Sequence, residues 1–299
     1  MNAVVDVRGL VKHFGRFVAL DGLDLSVAPG EVAGFLGPNG AGKSTTIRIL
    51  LGLLRRDAGE VRLFGHDPHR DAVAVHRRLA YVPGDVTLWP HLTGGECIDL
   101  LLALRGRQTA AAASRAELIE RFDLDPGKRA QTYSKGNRQK VALIAALCTD
   151  TDLLVLDEPT SGLDPLMTRE FTLAVRERAS HGAAVLMSSH LLSEVEELCS
   201  TVTIIRDGAT VLAGSLEALR HLRRSSVRVS AAAVGPETLA GVDGVHDLSR
   251  DGESLVFTVD AGALGGVLSR LAALDPSSVS ITPPSLEDLF LQTYGVGAP

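Results

Sequence analysis

Residues 31–45 read EVAGFLGPNGAGKST, and this stretch decides the fold. The apolar run Glu31–Leu36 predicts a buried strand, and Ser44–Leu54 has the pattern of a helix. A glycine-rich loop between a strand and a helix is the context required of a phosphate-binding loop, or P-loop. Its glycines permit a turn whose amides face inward, and the helix N-terminus adds positive potential. We therefore predict a nucleotide site formed by Gly37, Pro38, Asn39, Gly40, Ala41, Gly42, Lys43, Ser44 and Thr45.

Two side chains of this loop carry specific chemistry. Lys43 is expected to reach the β- and γ-phosphates of ATP, and the hydroxyl of Ser44 is expected to ligate Mg²⁺. The alternative is a chance glycine-rich turn, which would need neither a lysine nor a hydroxyl at these positions.

Four more short apolar runs end at turn-forming or polar residues and are followed by helical patterns. They are Leu79–Val82, Leu153–Leu156, Ala184–Met187 and Val202–Ile205. Strands that are apolar on both faces and alternate with helices are typical of a buried parallel sheet. The motifs follow the carboxyl ends of these strands, where open α/β sheets bind ligands. The predicted fold class is therefore α/β, of the P-loop NTPase type.

An acidic pair follows the strand at Leu153–Leu156, in LLVLDEPT. Asp157 is the candidate metal ligand and Glu158 the candidate base that orients the attacking water. An Asp-Glu pair after a strand is about as common at an ordinary solvated strand end as at a catalytic site. Its combination with Lys43 nevertheless indicates ATP hydrolysis.

Residues 133–139 read YSKGNRQ and begin a second predicted helix, Arg138–Cys148. A serine and a glycine at a helix N-terminus form an anion site. The alternative is an ordinary helix cap at Ser134. Two such anion sites in separate motifs suggest two nucleotides held between two chains.

Together these motifs resemble the nucleotide-binding subunits of ATP-binding cassette (ABC) transporters, over about Val4 to Ala218. The family signature, similar to Leu-Ser-Gly-Gly-Gln, corresponds to Tyr133-Ser134-Lys135-Gly136-Asn137. The resemblance implies an ABC-type ATPase domain with a helical subdomain. It also implies that Ser134, Gly136 and Asn137 meet the γ-phosphate of ATP bound by a second copy of the chain or by a related subunit.

Three further positions match the family pattern. Asp164, in Ser161-Gly162-Leu163-Asp164, resembles the D-loop, and His190 resembles the switch histidine that senses the γ-phosphate. Phe14 matches the aromatic residue that stacks on adenine, with a core phenylalanine as the alternative. Catalytic roles are thus implied for Glu158, His190 and Lys43.

One position departs from the pattern. The family places a glutamine after the strand that here ends in Tyr81-Val82-Pro83, but this chain has Gly84, followed by Asp85. Glycine has no side chain with which to touch Mg²⁺ or to relay the nucleotide state. We keep Gly84–Leu92 as the expected contact with an integral membrane permease, with Trp89 as a candidate anchor.

The tail predicts a second, small domain. Strand-like, helix-like and turn patterns follow in the order β-α-β-β-α-β, which suggests an α+β ferredoxin-like sandwich with a closing helix at Ser285–Tyr294. A related tail, ending in a stretch like PPSLEDLFLQTYG, occurs in ABC ATPases of the bacterial exporter, multidrug-type group. The expected domains are an ATPase domain at 1–222, with its helical subdomain at about 85–150, and an accessory domain at 223–299. Dimerisation, regulation and stabilisation are all open roles for that tail.

Composition narrows the function classes. The chain has 299 residues, a net charge of −6 and no apolar run near the roughly 18 residues of a membrane span. The acidic balance disfavours a nucleic-acid partner. Three isolated cysteines suggest buried thiols in a reducing compartment. We expect a peripheral protein at the cytoplasmic face of the cell membrane, neither secreted nor membrane-spanning.

The sequence thus predicts an ATPase that powers an exporter through a separate permease. An importer ATPase, a soluble ABC ATPase acting on nucleic acid or ribosomes, and a non-hydrolysing regulator are the alternatives. The last two lack support, because the chain has one cassette, no heptad run or CxxC motif, and an intact set of Lys43, Glu158 and His190.

Overall fold

The structure is a computed structural model that describes residues 3–106, 112–221, 224–230, 239, 241–252, 254–260, 262–273 and 276–282. In chain order the strands are β1 Val5–Phe14, β2 Phe17–Val27, β3 Val32–Leu36, β4 Ala58–Leu63, β5 Leu79–Val82, β6 Leu153–Asp157, β7 Ala184–Ser189, β8 Thr201–Arg206, β9 Ala209–Ser215, β10 Ser225–Ser230, β11 Val245–Asp251, β12 Ser254–Val259 and β13 Ser278–Thr282. The helices are α1 Lys43–Leu50, α2 Ala72–His76, α3 Gly94–Leu104, α4 Ala112–Arg121, α5 Lys135–Leu147, α6 Pro165–Ser180, α7 Leu192–Leu198, α8 Leu216–His221 and α9 Leu264–Ala272.

The chain divides into two compact units, Met1–Ala213 and Gly214–Pro299. The domain limits inferred from the sequence, including the helical subdomain at about 85–150, stay a prediction.

A six-stranded sheet forms the centre of the first unit, with the strand order β5-β6-β7-β3-β8-β9. Strands β5, β6, β7, β3 and β8 pair in parallel. Their apolar runs are covered on both faces, so that β3 and β7 are buried along their whole length. The predicted parallel α/β sheet is confirmed.

A second sheet in this unit is antiparallel, with the order β2-β1-β4, and the sequence analysis did not identify it. Its strands contain register shifts, one of them between Val7 and Leu10. Gly9 lies there with φ of 55°. Each shift breaks the alternation of apolar and polar residues by which a half-buried strand is recognised.

Two helix boundaries differ from the predicted ones by three residues or more. Helix α1 ends at Leu50 and not at Leu54, because Gly52 takes a left-handed φ of 68° and Leu53 N–H turns back to the Arg48 carbonyl at 2.9 Å. Helix α5 begins at Lys135, three residues before the predicted start, because the Ser134 side chain accepts from the Asn137 N–H and caps it.

The second unit contains a four-stranded antiparallel sheet with the order β11-β12-β10-β13. Counted within this unit, that is the order 2-3-1-4 of a ferredoxin-like sandwich. Helix α9 contributes Val267 and Leu271 to its core. The first of the two helices in the predicted β-α-β-β-α-β order, at Glu237–Ala240 in the sequence pattern, lies outside the described residues except for Leu239, and so does the closing helix at Ser285–Tyr294.

Candidate functional site

The P-loop lies between the end of β3 and the start of α1. Gly40 and Gly42 have φ of 85° and 111°, a region that L side chains rarely adopt. A Cβ atom on Gly42 would also lie 2.6 Å from Leu20 Cδ2. The glycines are therefore required by backbone conformation and by close packing.

Lys43 is the first residue of α1, and its side chain folds back over the loop. Its Nζ donates hydrogen bonds to the carbonyls of Gly37 at 2.5 Å and Pro38 at 3.1 Å. Burial lowers the pKa of the Lys43 ammonium, and the carboxylates of Glu158 and Asp157 partly oppose this shift. The loop thus holds a largely buried ammonium group beside two carboxylates.

A cleft of about 260 Å³ opens over the P-loop. It is lined by Phe14, Phe17, Ala19, Pro38, Asn39, Gly40, Gly42, Lys43, Ser44, Thr45 and Glu158. Phe14 ends β1 and is 49% exposed, so that it is not a core residue. The cleft therefore combines an aromatic wall, a P-loop and a carboxylate, a combination suited to a nucleoside triphosphate.

The acidic pair sits at the carboxyl end of β6, next to β7. The hydroxyl of Ser188 donates to Asp157 Oδ1. Glu158 N–H donates to the Ser188 carbonyl at 3.1 Å and to its Oγ at 3.2 Å. Glu158 has a left-handed φ of 45°, and this backbone turn brings its side chain to the cleft wall.

His190 lies in the turn between β7 and α7, beside the acidic pair. Its Nδ1 is 3.3 Å from Glu158 Oε1, and the two side chains are 55% and 31% exposed. The histidine thus contacts the glutamate that lines the cleft.

The signature residues lie at the start of α5 and do not line this cleft. Ser134 is exposed, and Asn137 N–H donates to its Oγ at 3.2 Å. A Cβ atom on Gly136 would lie 2.2 Å from the Gly162 carbonyl oxygen, so α5 packs directly on the segment after β6. Asp164 caps helix α6 by accepting from the Met167 N–H at 2.9 Å. The structure therefore separates these four residues from the P-loop of their own chain.

Gly84 follows β5 and faces the acidic pair. A Cβ atom there would lie 3.1 Å from the Asp157 carbonyl oxygen and 3.6 Å from Glu158 Cβ. The buried Gln139 of α5 donates from Nε2 to the Pro83 carbonyl at 3.5 Å. The backbone at Pro83 and Gly84 thus contacts both the signature helix and the strand of the acids.

Two supporting features were missed by the sequence analysis. One is Ser188, which lies far from Asp157 and Glu158 along the chain. The other is the hairpin between β8 and β9. Its Gly208 N–H donates to the Ala41 carbonyl at 3.1 Å, so the hairpin contacts the P-loop backbone. Neither contact has a signal in local sequence, since each depends on strand neighbours.

The oxygen donors at the cleft fit Mg²⁺. Over the described ranges, no three His, Cys, Asp or Glu side chains form a metal-binding group. Mg²⁺ at nucleotide sites is held by one or two carboxylates together with phosphate oxygens and water. The Asp157 carboxylate and the Ser44 hydroxyl provide such donors.

The described part of the chain contains no helix that is both long enough and apolar enough to cross a membrane.

The three cysteines, Cys97, Cys148 and Cys199, are free and buried. Burial raises the pKa of the Cys148 thiol to about 11 and of the Cys199 thiol to about 12.

Comparison with known proteins agrees with this geometry. The family model described as ABC transporter matches residues 20–161. The chain is 36% identical to the daunorubicin resistance ATP-binding protein DrrA3 of Streptomyces coeruleorubidus, over 98% of this chain and 96% of that protein. It is 34% identical to the Nod factor export ATP-binding protein I of Paraburkholderia xenovorans, over 98% of each.

Solved structures give the same result. An ATP-binding subunit of an ABC transporter has a TM-score of 0.69 at 29% identity, over 73% of this chain and 92% of that one. A bacterial Atm1-family ABC exporter with ATP bound has a TM-score of 0.64 at 27% identity, over 73% of this chain and 40% of that one. The chain belongs to the ABC transporter family, as an ATP-binding subunit with the fold of the family's ATPase cassette.

Proposed function

We propose that this subunit hydrolyses ATP as one half of a paired cassette and drives export through a separate integral membrane permease. The second half is another copy of this chain or a related subunit. The single observation that carries the proposal is the cleft in which Lys43, Ser44 and Glu158 meet while the signature serine lies elsewhere.

The residues of the cleft have distinct proposed roles. Phe14 stacks on adenine, while the amides of residues 37–45 and the Lys43 ammonium bind the phosphates. Ser44 and Asp157 would hold Mg²⁺, which supplies charge neutralisation at the β- and γ-phosphates when bound. Glu158 orients the attacking water and accepts its proton, and His190 holds the Glu158 carboxylate and senses the γ-phosphate.

A complete site requires the partner subunit. Ser134, Gly136 and Asn137 lie at a helix N-terminus, which favours anions, and they do not line the cleft of their own chain, so we place them on the nucleotide of the partner. Asp164 caps the helix that follows the D-loop and positions that loop at the same interface. ATP binding would close the pair, and loss of the γ-phosphate would open it.

The Glu158→Gln variant tests the hydrolytic role. We expect turnover to fall roughly 10²–10⁴-fold, as for loss of a general base. ATP binding persists, because Lys43 and the P-loop amides are unchanged, and an ATP-dependent dimer accumulates on gel filtration. Glu60→Gln, an exposed acid on β4 paired with Arg62, is the matched control and keeps its activity. Normal hydrolysis by Glu158→Gln would contradict the assignment.

Protein concentration tests the pairing. Since a single chain supplies only half of each site, specific activity should rise with concentration until the pair is saturated. A specific activity that stays constant down to nanomolar protein would exclude the paired site.

We place the permease contact at Gly84–Leu92. Trp89 is 43% exposed and lines an apolar groove of about 130 Å³ with Val86 and Leu88. The adjoining surface exposes Leu53 and Leu104 as well. Contiguous exposed apolar side chains are typical of protein interfaces. We place the chain at the cytoplasmic face of the cell membrane, held there by this contact.

Membrane association tests the permease contact. Trp89→Asp should lower the fraction of the chain that sediments with membranes of the native host, without changing ATP binding. Val211→Asp alters an exposed apolar residue on β9 and serves as the control. An unchanged membrane fraction for Trp89→Asp would refute the placement.

Export is favoured over import by the relatives that align along nearly their whole length. One is named for daunorubicin resistance and another for Nod factor export. Neither name extends the proposal to a particular substrate of this chain.

A further inference from the structure

Ser188 is a buried polar residue in the middle of the central sheet. It lies on β7, directly opposite Asp157 of β6 and Phe35 of β3, and its side chain is fully buried. A hydroxyl in such a place needs hydrogen-bond partners, because an unpaired buried polar group is costly.

The partners of Ser188 are the two members of the acidic pair, Asp157 and Glu158. Its hydroxyl has one proton to donate. The Glu158 N–H can act only as a donor, so the Ser188 oxygen must accept that hydrogen bond. The proton is therefore directed to Asp157 Oδ1, while the oxygen accepts from Glu158 N–H at 3.2 Å. One side chain thus bonds both consecutive residues from the neighbouring strand.

The bond to Asp157 orients its carboxylate. Because Oδ1 accepts from Ser188, rotation of the carboxylate is restricted, and Oδ2 would be the oxygen that ligates a metal ion. Hydrogen bonds of this kind to metal ligands commonly tune both affinity and activity.

The bond to Glu158 supports an unusual backbone. A φ of 45° is disfavoured for residues other than glycine and persists where surrounding contacts hold it. Both oxygens of Ser188 hold the Glu158 N–H, which sets the direction in which the Glu158 side chain leaves β6. That side chain then meets His190 at 3.3 Å.

The neighbouring Ser189 has a different task. Its Oγ accepts from Leu191 N–H at 3.0 Å and donates to Glu194 at 2.8 Å, so it shapes the turn towards α7. The two serines before His190 are therefore not interchangeable.

We propose that Ser188 is a positioning residue for ATP hydrolysis, whose hydroxyl orients Asp157 towards Mg²⁺ and Glu158 towards the attacking water. This inference rests on the proposed function and adds a residue from β7 to that site.

The test is Ser188→Ala. We expect turnover to fall and the half-saturating Mg²⁺ concentration to rise, each roughly 10- to 100-fold, the usual effect of losing such a contact. ATP affinity measured by calorimetry in EDTA should be unchanged, since the P-loop is intact. The gain in ATP affinity on adding Mg²⁺ should shrink, and this second readout does not depend on turnover.

Two variants control for packing. Thr172→Val removes a buried hydroxyl that bonds the Thr168 carbonyl within α6, and it should match wild type in all four measured quantities. Ser188→Cys keeps the size of the side chain but donates more weakly, so it should be intermediate. If thermal unfolding shows that Ser188→Ala does not fold, Ser188→Cys becomes the test. A wild-type Mg²⁺ dependence of Ser188→Cys would then overturn the inference.

The parallel Glu158→Gln measurement separates this inference from the proposed function. If Glu158→Gln abolishes turnover while Ser188→Ala behaves as wild type, the positioning role alone is wrong. If Glu158→Gln hydrolyses ATP normally, the role proposed for Glu158 is wrong. The proposed function itself fails if the wild-type chain does not hydrolyse ATP at a concentration that saturates the pair, whatever Ser188→Ala does.

Discussion

Replacing Gly136 with alanine is expected to impair hydrolysis by displacing the segment that follows the acidic pair. The added Cβ would lie 2.2 Å from the Gly162 carbonyl oxygen, and the obstacle is backbone rather than a flexible side chain. Ordinary carbon contacts begin more than about 3 Å apart. The segment at Gly162 or the start of α5 must therefore move by about 1 Å.

The size of the effect follows from that displacement. A misplacement of about 1 Å at a reacting group can cost roughly 100-fold in rate, and Gly136 lies at the start of the helix placed on the partner's phosphate. Overpacking lowers the folding stability by about 1–3 kcal/mol. Replacing glycine with alanine within a helix raises it by at most about 1 kcal/mol. We expect a net loss of about 0–3 kcal/mol of folding free energy.

Two measurements on the same protein check this reasoning. Steady-state ATPase activity at a concentration that saturates the pair should fall about 100-fold. ATP affinity of the dilute chain should stay at the wild-type value, because the P-loop cleft is not touched. The matched control is Gly265→Ala in α9, where no atom lies within 4 Å of the added Cβ. It should keep full activity and gain up to about 1 kcal/mol. Wild-type turnover by Gly136→Ala would refute the argument.

Two further predictions concern the cleft wall and acid stability. Phe14→Ala should weaken ATP binding roughly 2- to 12-fold, equivalent to the loss of about 0.5–1.5 kcal/mol of aromatic stacking, by fluorescence titration. A larger loss in Phe17→Ala, on the same hairpin, would show that the other ring stacks on adenine. Burial of the Asp67 carboxyl opposes ionisation, but hydrogen bonds from Arg56 and from two backbone N–H groups outweigh it and lower its pKa to about 2. That stabilisation is complete above the unfolded pKa of 3.8 and is lost as the pH falls towards 2. The difference in Tm between wild type and Asp67→Asn should therefore shrink over this range, and a constant difference would contradict the charge-based explanation.

Much of the first unit was predictable because its signals are local. Each parallel strand is a short apolar run bounded by turn residues, and each was found within two residues of its observed ends. The antiparallel sheet was missed because its strands contain irregularities at Gly9 and elsewhere that hide the period of two. The start of α5 was misplaced, although Ser134 has the residue type of a helix cap.

The chemistry of the candidate site was contained in contiguous stretches of sequence. GPNGAGKST and LLVLDEPT define the P-loop and the acidic pair because the backbone conformation of each depends on its own glycines, strand and helix. The departure at Gly84 was visible for the same reason. The sequence did not predict which groups pack around the P-loop and the acidic pair, including the close approach of Gly84 to Asp157.

The tertiary structure decided which of these stretches lie side by side. Ser188 supports Asp157 and Glu158 because the crossover connections place β7 between β6 and β3, and Gly208 supports the P-loop because β8 lies on the other side of β3. Gly136 packs on Gly162 because α5 and the segment after β6 meet in space. The sequence by itself determined the reactive groups, since their geometry is local. Only the tertiary structure determined how they are held, since hydrogen bonds between strands depend on the order of the sheet.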